Sequence, residues 1–166
     1  MAGYAALRLQ MDLPRARELV HHSLDLNPNS AIALAIAAEI ETCLGNSHEA
    51  LELLFRAVRL SPRDPRGWFI TSKMTWAYFV QGQFDEAVSA AKKVLNQNPQ
   101  SAYALRILAA SLAKQGRLND AAAAIREVLN IEPQFTLTKL RARKMYIQED
   151  IWRDYAAALR LTGLPE

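Results

Sequence analysis

The sequence contains few of the residues on which disulfides, metal sites and redox chemistry depend. Its 166 residues include one cysteine, Cys43, and three histidines. A single cysteine excludes an intramolecular disulfide and is compatible with a reducing cytoplasm. His21 and His22 are adjacent, so on a helix they point about 100° apart and cannot readily chelate one ion together. The sequence therefore predicts no disulfide, no metal site and no cofactor.

The sequence also lacks the patterns that mark membrane segments and common catalytic sites. No uninterrupted apolar run approaches the length of a membrane span, and no charged lead precedes a long apolar core at the N-terminus. We find no phosphate-binding loop, dinucleotide fingerprint or nucleophile–base constellation. The net charge of +3 is mild and does not demand an anionic partner. These absences predict a cytoplasmic chain without a membrane span, a signal peptide or a catalytic activity of its own.

Glycine, alanine and proline recur at fixed distances along the chain. Gly45, Gly82 and Gly116 each stand five residues before an alanine, and four alanines each stand twelve residues before a proline. These alanines are Ala16, Ala50, Ala87 and Ala121, and their prolines are Pro28, Pro62, Pro99 and Pro133. Successive prolines are 34, 37 and 34 residues apart, which places a three-residue insertion near Pro65. A repeated unit of about 34 residues therefore organises the sequence.

Each unit carries the signals of amphipathic helices. Apolar residues recur at three and four residues, glycine suits the left-handed position that closes a helix, and proline ends the next one. Ser30 and Ser101 are predicted N-caps. The first of these predicted helices ends near residue 26, and the others span 31–44, 48–60, 68–81, 84–97, 102–115, 118–131 and 149–161. Residues 1–10 are expected to be the remainder of an earlier helix, either because the chain is a fragment of a larger protein or because it begins with a short native cap.

A period of 34 residues with glycine, a small residue and proline in fixed register resembles the tetratricopeptide repeat, in which antiparallel helix pairs stack. The resemblance implies an all-α, right-handed superhelical solenoid of about four helix pairs. The repeats are assigned to residues 1–135, as a partial unit over 1–30 and further units over 31–64, 68–101 and 102–135. Glu41 stands where the family's usual tyrosine occurs, as Tyr78 does in the next unit. An unpaired carboxylate is costly in a core, so Glu41 is unusual at that position.

Residues 136–166 are predicted to form a C-terminal extension with a capping helix. A solenoid leaves its last helix pair uncovered, so such a helix is expected on physical grounds. The side chains predicted to face the array are Ile151, Trp152, Tyr155, Ala158 and Leu159. Those predicted to face water are Arg153, Asp154 and Arg160.

The resemblance further implies that the first helix of each pair lines a concave inner wall. In that register the candidate protein-binding groove consists of Glu39, Thr42, Phe69, Lys73, Trp76, Tyr103, Arg106 and Lys114, with Cys43, Val80 and Ala110 beside them. Aromatic rings and cations commonly anchor interfaces, so this strip is predicted to bind a protein or peptide segment. The alternative interpretation is that Trp76 and Tyr103 pack against neighbouring helices. Some family members clamp a peptide C-terminal carboxylate with lysine, asparagine and arginine, but no asparagine lies on this wall.

Lys139, Arg141, Arg143 and Lys144 form the one basic cluster. Such a cluster can bind nucleic acid or an acidic surface. Acidic residues follow at Glu149 and Asp150, and no interleaved aromatic residues support base stacking. The sequence therefore favours a solvated or salt-bridged surface over a nucleic-acid site.

The C-terminal part is similar to the repeat region of certain proteobacterial proteins, many with a class III adenylate/guanylate cyclase domain and others with a winged-helix DNA-binding domain. The stretches that carry this similarity are 61–65, 76–79, 108–113 and the ending 159–166. The similarity implies a non-catalytic interaction or regulatory module, the C-terminal part of a bacterial cyclase-like signalling protein. The alternatives are a stand-alone cytoplasmic adaptor or scaffold, or the repeat region of a winged-helix regulator. The partner is a protein or peptide, which another domain of the same parent chain could supply; the sequence does not indicate the oligomeric state.

Overall fold

The structure is a computed structural model that describes residues 12–62, 67–143 and 148–166. These residues form nine α-helices and no strand. The helices are α1 (Leu13–Leu26), α2 (Ala31–Cys43), α3 (Ser47–Leu60), α4 (Gly67–Val80), α5 (Phe84–Gln97), α6 (Ala102–Lys114), α7 (Leu118–Ile131), α8 (Leu137–Ala142) and α9 (Glu149–Arg160). Apart from α8, which the sequence did not predict, the observed bounds lie within one residue of the predicted ones. The predicted helix over residues 1–10 and the insertion at Pro65 lie outside the described residues.

The helix ends follow the local chemistry of the sequence. The hydroxyls of Ser30 and Ser101 accept hydrogen bonds from the backbone N–H groups of Ala33 and Ala104, as expected of N-caps. Gly82 has φ of 72° and closes α4. The N–H of Gly82 donates to the Phe79 carbonyl and the next N–H donates to the Tyr78 carbonyl, the paired pattern of a Schellman motif. Glycine is needed there because residues with a Cβ are strained at that φ.

The repeated alanines are fully buried within the stack of helices. Ala16, Ala50, Ala87 and Ala121 are each 0% exposed. Helices α2, α4 and α6 each pack against the following helix, and each pair packs on the next through α3 with α4 and α5 with α6. A side chain no larger than a methyl group lets neighbouring backbones approach, so these alanines set the spacing of the stack.

The first helices of successive pairs also contact one another directly. Helix α2 contacts α4, and α4 contacts α6. These three helices therefore form one continuous side of the stack, which we call the inner wall. Helix α9 packs against α6 on this wall. Among the described residues, no helix combines the length and the hydropathy needed to cross a membrane.

Glu41 is fully buried between α1 and α2, and its carboxylate has partners. Arg17 Nε donates to Oε1 at 2.7 Å, and Asn46 Nδ2 donates to Oε2 at 2.8 Å. Burial by itself raises the pKa of Glu41, but these hydrogen bonds and the charge of Arg17 outweigh it and hold the pKa below its usual value. The residue that is unusual in the repeat pattern therefore joins α1 to α2 as a charged, hydrogen-bonded group.

Candidate protein-binding surface

A buried ion pair joins the first two helices of the inner wall. Lys73 of α4 lies with Nζ 2.9 Å from Oε2 of Glu39 on α2. The same Nζ is 5.0 Å from the centroid of the Phe69 ring and 5.9 Å from that of Tyr103 on α6. The Lys73 side chain is only 8% exposed, so water screens these interactions weakly. Residues of three helices, all assigned to the inner wall by the repeat register, therefore lie around one cation, Lys73.

Tyr103 connects this ion pair to the next part of the wall. Its ring is half-buried and packs against the main apolar core. Burial raises the pKa of the Tyr103 hydroxyl well above its ordinary value, and the nearby Glu39 carboxylate raises it further, while Arg106 opposes the shift. At neutral pH the hydroxyl is therefore protonated.

Arg106 is a buried cation beneath the C-terminal helix. Its guanidinium lies 5.0 Å from the centroid of the Phe135 ring, and its charge acts on the hydroxyl of Tyr155 on α9. Oε1 of Glu132 is 3.9 Å from Nη1. Within the described residues that buried nitrogen has no hydrogen-bond partner. Burial raises the pKa of Tyr155, and the positive charge of Arg106 only partly opposes this, so Tyr155 is also neutral at pH 7.

Helix α9 lies across the inner wall and places Tyr155 in an aromatic cluster. The Tyr155 ring meets the rings of Trp76 and Phe79 edge-on, at centroid distances of 5.1 Å and 5.3 Å. Trp76 in turn stacks on Phe79 at 5.5 Å with an interplanar angle of 15°. Both partners belong to α4, so α9 reaches beyond the fourth helix pair and covers part of the third.

Polar contacts hold α9 along the wall at its middle and at its N-terminal end. Asp154 forms an ion pair with Lys114 at the end of α6. At the N-terminal end Gln148, just before α9, donates from Nε2 to the Leu44 carbonyl at 3.0 Å. Leu44 directly follows α2, so the C-terminal segment touches the first helices of three successive pairs.

The eight predicted groove residues fall into two groups. Glu39, Phe69 and Tyr103 keep part of their surface exposed, with Lys73 packed among them. Trp76 and Arg106 are buried, and Lys114 is paired with α9. Thr42 is buried and donates to the Ala38 carbonyl of its own helix at 2.8 Å. Packing against neighbouring helices, the alternative interpretation, therefore describes Trp76 well.

Sequence reasoning predicted the buried face of α9 but missed some of the contacts between α9 and this wall. Asp154 was expected to face water; it is half exposed and also pairs with Lys114. Phe79 of α4 was assigned no role. The amphipathic pattern of α9 indicated a buried face that included Tyr155, but it contained no information about which side of the stack would receive that face.

The basic cluster is engaged with neighbouring side chains. Arg141 donates to Glu149 at 2.5 Å and lies 4.8 Å from the centroid of the Trp152 ring. Arg143 pairs with Glu132, and its guanidinium lies 5.1 Å from the centroid of the Phe135 ring. Lys144 lies outside the described residues. In the described part of the chain no group of three or more histidine, cysteine or acidic residues is placed to hold a metal ion.

Comparisons with known proteins show that this architecture is similar to that of tetratricopeptide repeat proteins. A family model described as tetratricopeptide repeat matches residues 73–134. No curated protein sequence matches the chain at a significant level. Among solved structures, TTC0263, a thermophilic TPR protein in Thermus thermophilus, aligns with a TM-score of 0.69 and 21% identity, over 96% of each chain.

Two further solved structures give the same result. MamA aligns with a TM-score of 0.67 and 18% identity, covering 96% of this chain and 91% of its own. YrrB, described as a TPR protein with an unusual peptide-binding site, aligns with a TM-score of 0.63 and 16% identity, covering 96% of this chain and 86% of its own. Together with the helices described above, these likenesses confirm the predicted fold class, an all-α tetratricopeptide repeat solenoid.

Proposed function

We propose that this chain is a non-catalytic protein-interaction module whose inner wall binds a segment of another protein or of a longer parent chain. The observation that carries the proposal is the arrangement around Lys73. Helices α2, α4 and α6 contribute an anion, a cation and two aromatic rings to one surface. Rings supply contact area and cations fix acidic groups, so such a surface suits an extended or helical peptide.

The fold supports this proposal in a general way. Solenoids built from stacked helix pairs present extended concave surfaces, and those surfaces are what such proteins use for binding. YrrB, which shares the fold, is described as having a peptide-binding site. We therefore assign the candidate groove to Glu39, Thr42, Phe69, Lys73, Trp76, Tyr103, Arg106 and Lys114, within the repeat units at 31–64, 68–101 and 102–135.

We further infer that the module belongs to a bacterial, cytoplasmic signalling protein of the adenylate cyclase-like kind. The support is the sequence similarity of the C-terminal stretch alone. A winged-helix regulator and a stand-alone adaptor are the competing contexts. Sequencing the native gene upstream of the codon for Met1 distinguishes them, because the three contexts require a cyclase-like segment, a winged-helix segment or an in-frame stop, respectively.

Two double variants, one on the inner wall and one control on α3, test the binding surface. Trp76 and Arg106 are buried under α9, so their removal would disturb packing as well as binding. We instead choose Phe69→Ala with Tyr103→Ala, because both rings are partly exposed on the inner wall. The matched control is Phe55→Ala with Val58→Ala, since these side chains are 43% and 38% exposed on α3.

Each variant and the wild type are used as bait in a bacterial lysate, and the captured proteins are compared by mass spectrometry. We expect the inner-wall variant to lose partners that the wild type and the α3 variant both retain. Circular dichroism melting verifies that both variants stay folded. Identical partner lists for all three baits would remove the inner wall as the binding surface.

A further inference from the structure

Helix α9 is seated on the inner wall as an amphipathic helix is seated in a groove. Tyr155 and Leu159, which are four residues apart, are 1% and 0% exposed. Ile151 and Trp152, one turn before Tyr155, are half-buried against the same core. A row of anchors at this spacing is the pattern by which a groove recognises a helical ligand.

The polar contacts that hold α9 in place are of the weaker kind. Its two ion pairs with other helices, Lys114 with Asp154 and Arg141 with Glu149, are at least partly exposed on both partners, and such pairs contribute little to stability. Two of its four buried side chains are alanines, which bury little apolar area. Tyr155 and Leu159 are thus its main apolar anchors.

The wall beneath α9 also keeps one polar atom unsatisfied. Nη1 of Arg106 is buried and has no hydrogen-bond partner among the described residues. A buried donor without an acceptor costs stability, and a carboxylate is the acceptor that suits a guanidinium best. Oε1 of Glu132 lies 3.9 Å from this nitrogen, beyond hydrogen-bond distance, and α9, all of whose residues the structure describes, forms no ion pair with Arg106. Helix α9 therefore covers the wall but leaves one buried donor of the wall, Nη1 of Arg106, without an acceptor.

We infer that α9 is a displaceable internal ligand, and that the partner which replaces it is an acidic amphipathic helix carrying a carboxylate next to an aromatic residue, as Asp154 and Tyr155 are placed here. This inference rests on the proposed function, since it names the partner of the same wall and the element that regulates access to it. The aromatic side chain meets Trp76 and Phe79. The adjacent carboxylate pairs with Lys114, and a further carboxylate reaches Arg106.

The test uses the full chain and a probe taken from the chain itself. The probe is a fluorescently labelled synthetic peptide of residues 148–166. The variant protein carries Glu149→Lys with Asp154→Lys, which repels α9 from Arg141 and Lys114 while leaving both cations for the peptide. While α9 occupies the wall, an added peptide can bind only the fraction of molecules in which α9 has left it, and its apparent affinity is lowered by that fraction. Loss of two exposed ion pairs should raise this open fraction about tenfold. Fluorescence anisotropy should therefore show about tenfold tighter peptide binding to the variant than to the wild type.

Two controls test the charge pairing itself. A full chain with Lys114→Glu and Asp154→Lys restores an ion pair of opposite polarity, so it should bind the peptide no better than the wild type does. A peptide carrying Glu149→Lys and Asp154→Lys should bind the charge-reversed protein more weakly than the native peptide does, because it cannot pair with Lys114 and Arg141. Equal binding of the native peptide to the wild type and to the charge-reversed protein would overturn the inference.

Native-state amide hydrogen exchange on the wild type provides a test that needs no variant. We expect the amides of α9 to exchange faster than those of α6, because a displaceable element opens before the whole molecule unfolds. Equally slow exchange in α9 and α6 would overturn the inference. If the inner-wall bait variant keeps every natural partner while the peptide still binds the charge-reversed protein, the proposed function fails and the internal contact of α9 stands.

Discussion

At the scale of single residues, Ala87 shows how little room exists between stacked helices. It is 0% exposed at the start of α5 and belongs to the main core cluster. Replacing it with leucine inserts three carbon atoms into filled space, so Ala87→Leu should lower the free energy of unfolding by about 1–3 kcal/mol. Denaturant titration measures the change. Ser89→Leu, at an exposed site on the same helix, is the control, and equal stability of both variants would contradict the assigned register.

Glu41 makes the stability of the α1–α2 contact depend on pH. Its pKa is held below the usual value in the folded chain by hydrogen bonds from Asn46 and Arg17, which outweigh the opposite effect of burial. The stabilisation is therefore present above the unfolded-state pKa and is lost as the pH falls through the lower, folded-state pKa. Glu41→Gln should destabilise the chain by about 1–3 kcal/mol at pH 7, because the side chains of Arg17 and Asn46 lose a charged hydrogen-bond acceptor.

The check on Glu41 is a series of thermal melts of the wild type and Glu41→Gln between neutral pH and pH 3. The difference in melting temperature should shrink as the pH falls below the usual glutamate range. A difference that stays constant over this interval would show that the charge of Glu41 does not contribute. The repeat pattern identified Glu41 as unusual, whereas its partner Arg17 is 24 positions away on another helix and has no local signature.

At the scale of elements, α9 owes its position to one aromatic side chain. Tyr155 is 1% exposed against Trp76 and Phe79, whereas Leu161, just after the helix, is 60% exposed. Removing a fully buried large ring leaves a cavity, so Tyr155→Ala should cost about 3–5 kcal/mol of folding free energy. Leu161→Ala should change it by less than about 0.5 kcal/mol. Similar losses in the two variants would contradict the placement of α9.

The sequence predicted elements to different degrees, for physical reasons that particular helices illustrate. Glycine, proline and serine act through local backbone conformation, so the bounds of α2 to α7 could be predicted from them. Helix α8 was missed because its six residues are too few to show a helical period. The wall-facing side of α9 was predicted from its amphipathic pattern, but its reach to α4 depends on contacts between Tyr155 and residues more than 70 positions away.

At the scale of the whole molecule, α9 covers apolar surface that the stack would otherwise expose. Residues Phe135, Leu137 and Leu140 belong to the same cluster as Tyr155 and Leu159, together with Trp76 and Phe79. Deleting residues 149–166 should uncover this surface, and large exposed apolar patches promote association. Sedimentation velocity of the truncated and full-length chains at equal concentration measures the effect. A truncated chain that remains as monomeric and as stable as the full-length chain would show that α9 does not protect the core.

The candidate site could be predicted only as far as the repeat register extends. Equivalent positions on successive first helices become neighbours in any such stack, which is why Glu39, Lys73 and Tyr103 were correctly grouped. The register contains no information about a helix that turns back onto the stack. The burial of Trp76 beneath α9 and the ion pair of Lys114 with Asp154 could therefore be found only in the structure. That this wall binds a partner stays a prediction.

The aromatic cluster under α9 also gives the molecule an optical property. Trp76 is 8% exposed and lies between Phe79 and Tyr155, so water is excluded from its indole ring while α9 is in place. Indole emission moves to longer wavelength when the ring becomes hydrated. Departure of α9 would hydrate Trp76 without unfolding the stack, so the intrinsic fluorescence of the chain would report the state of its inner wall without an attached dye.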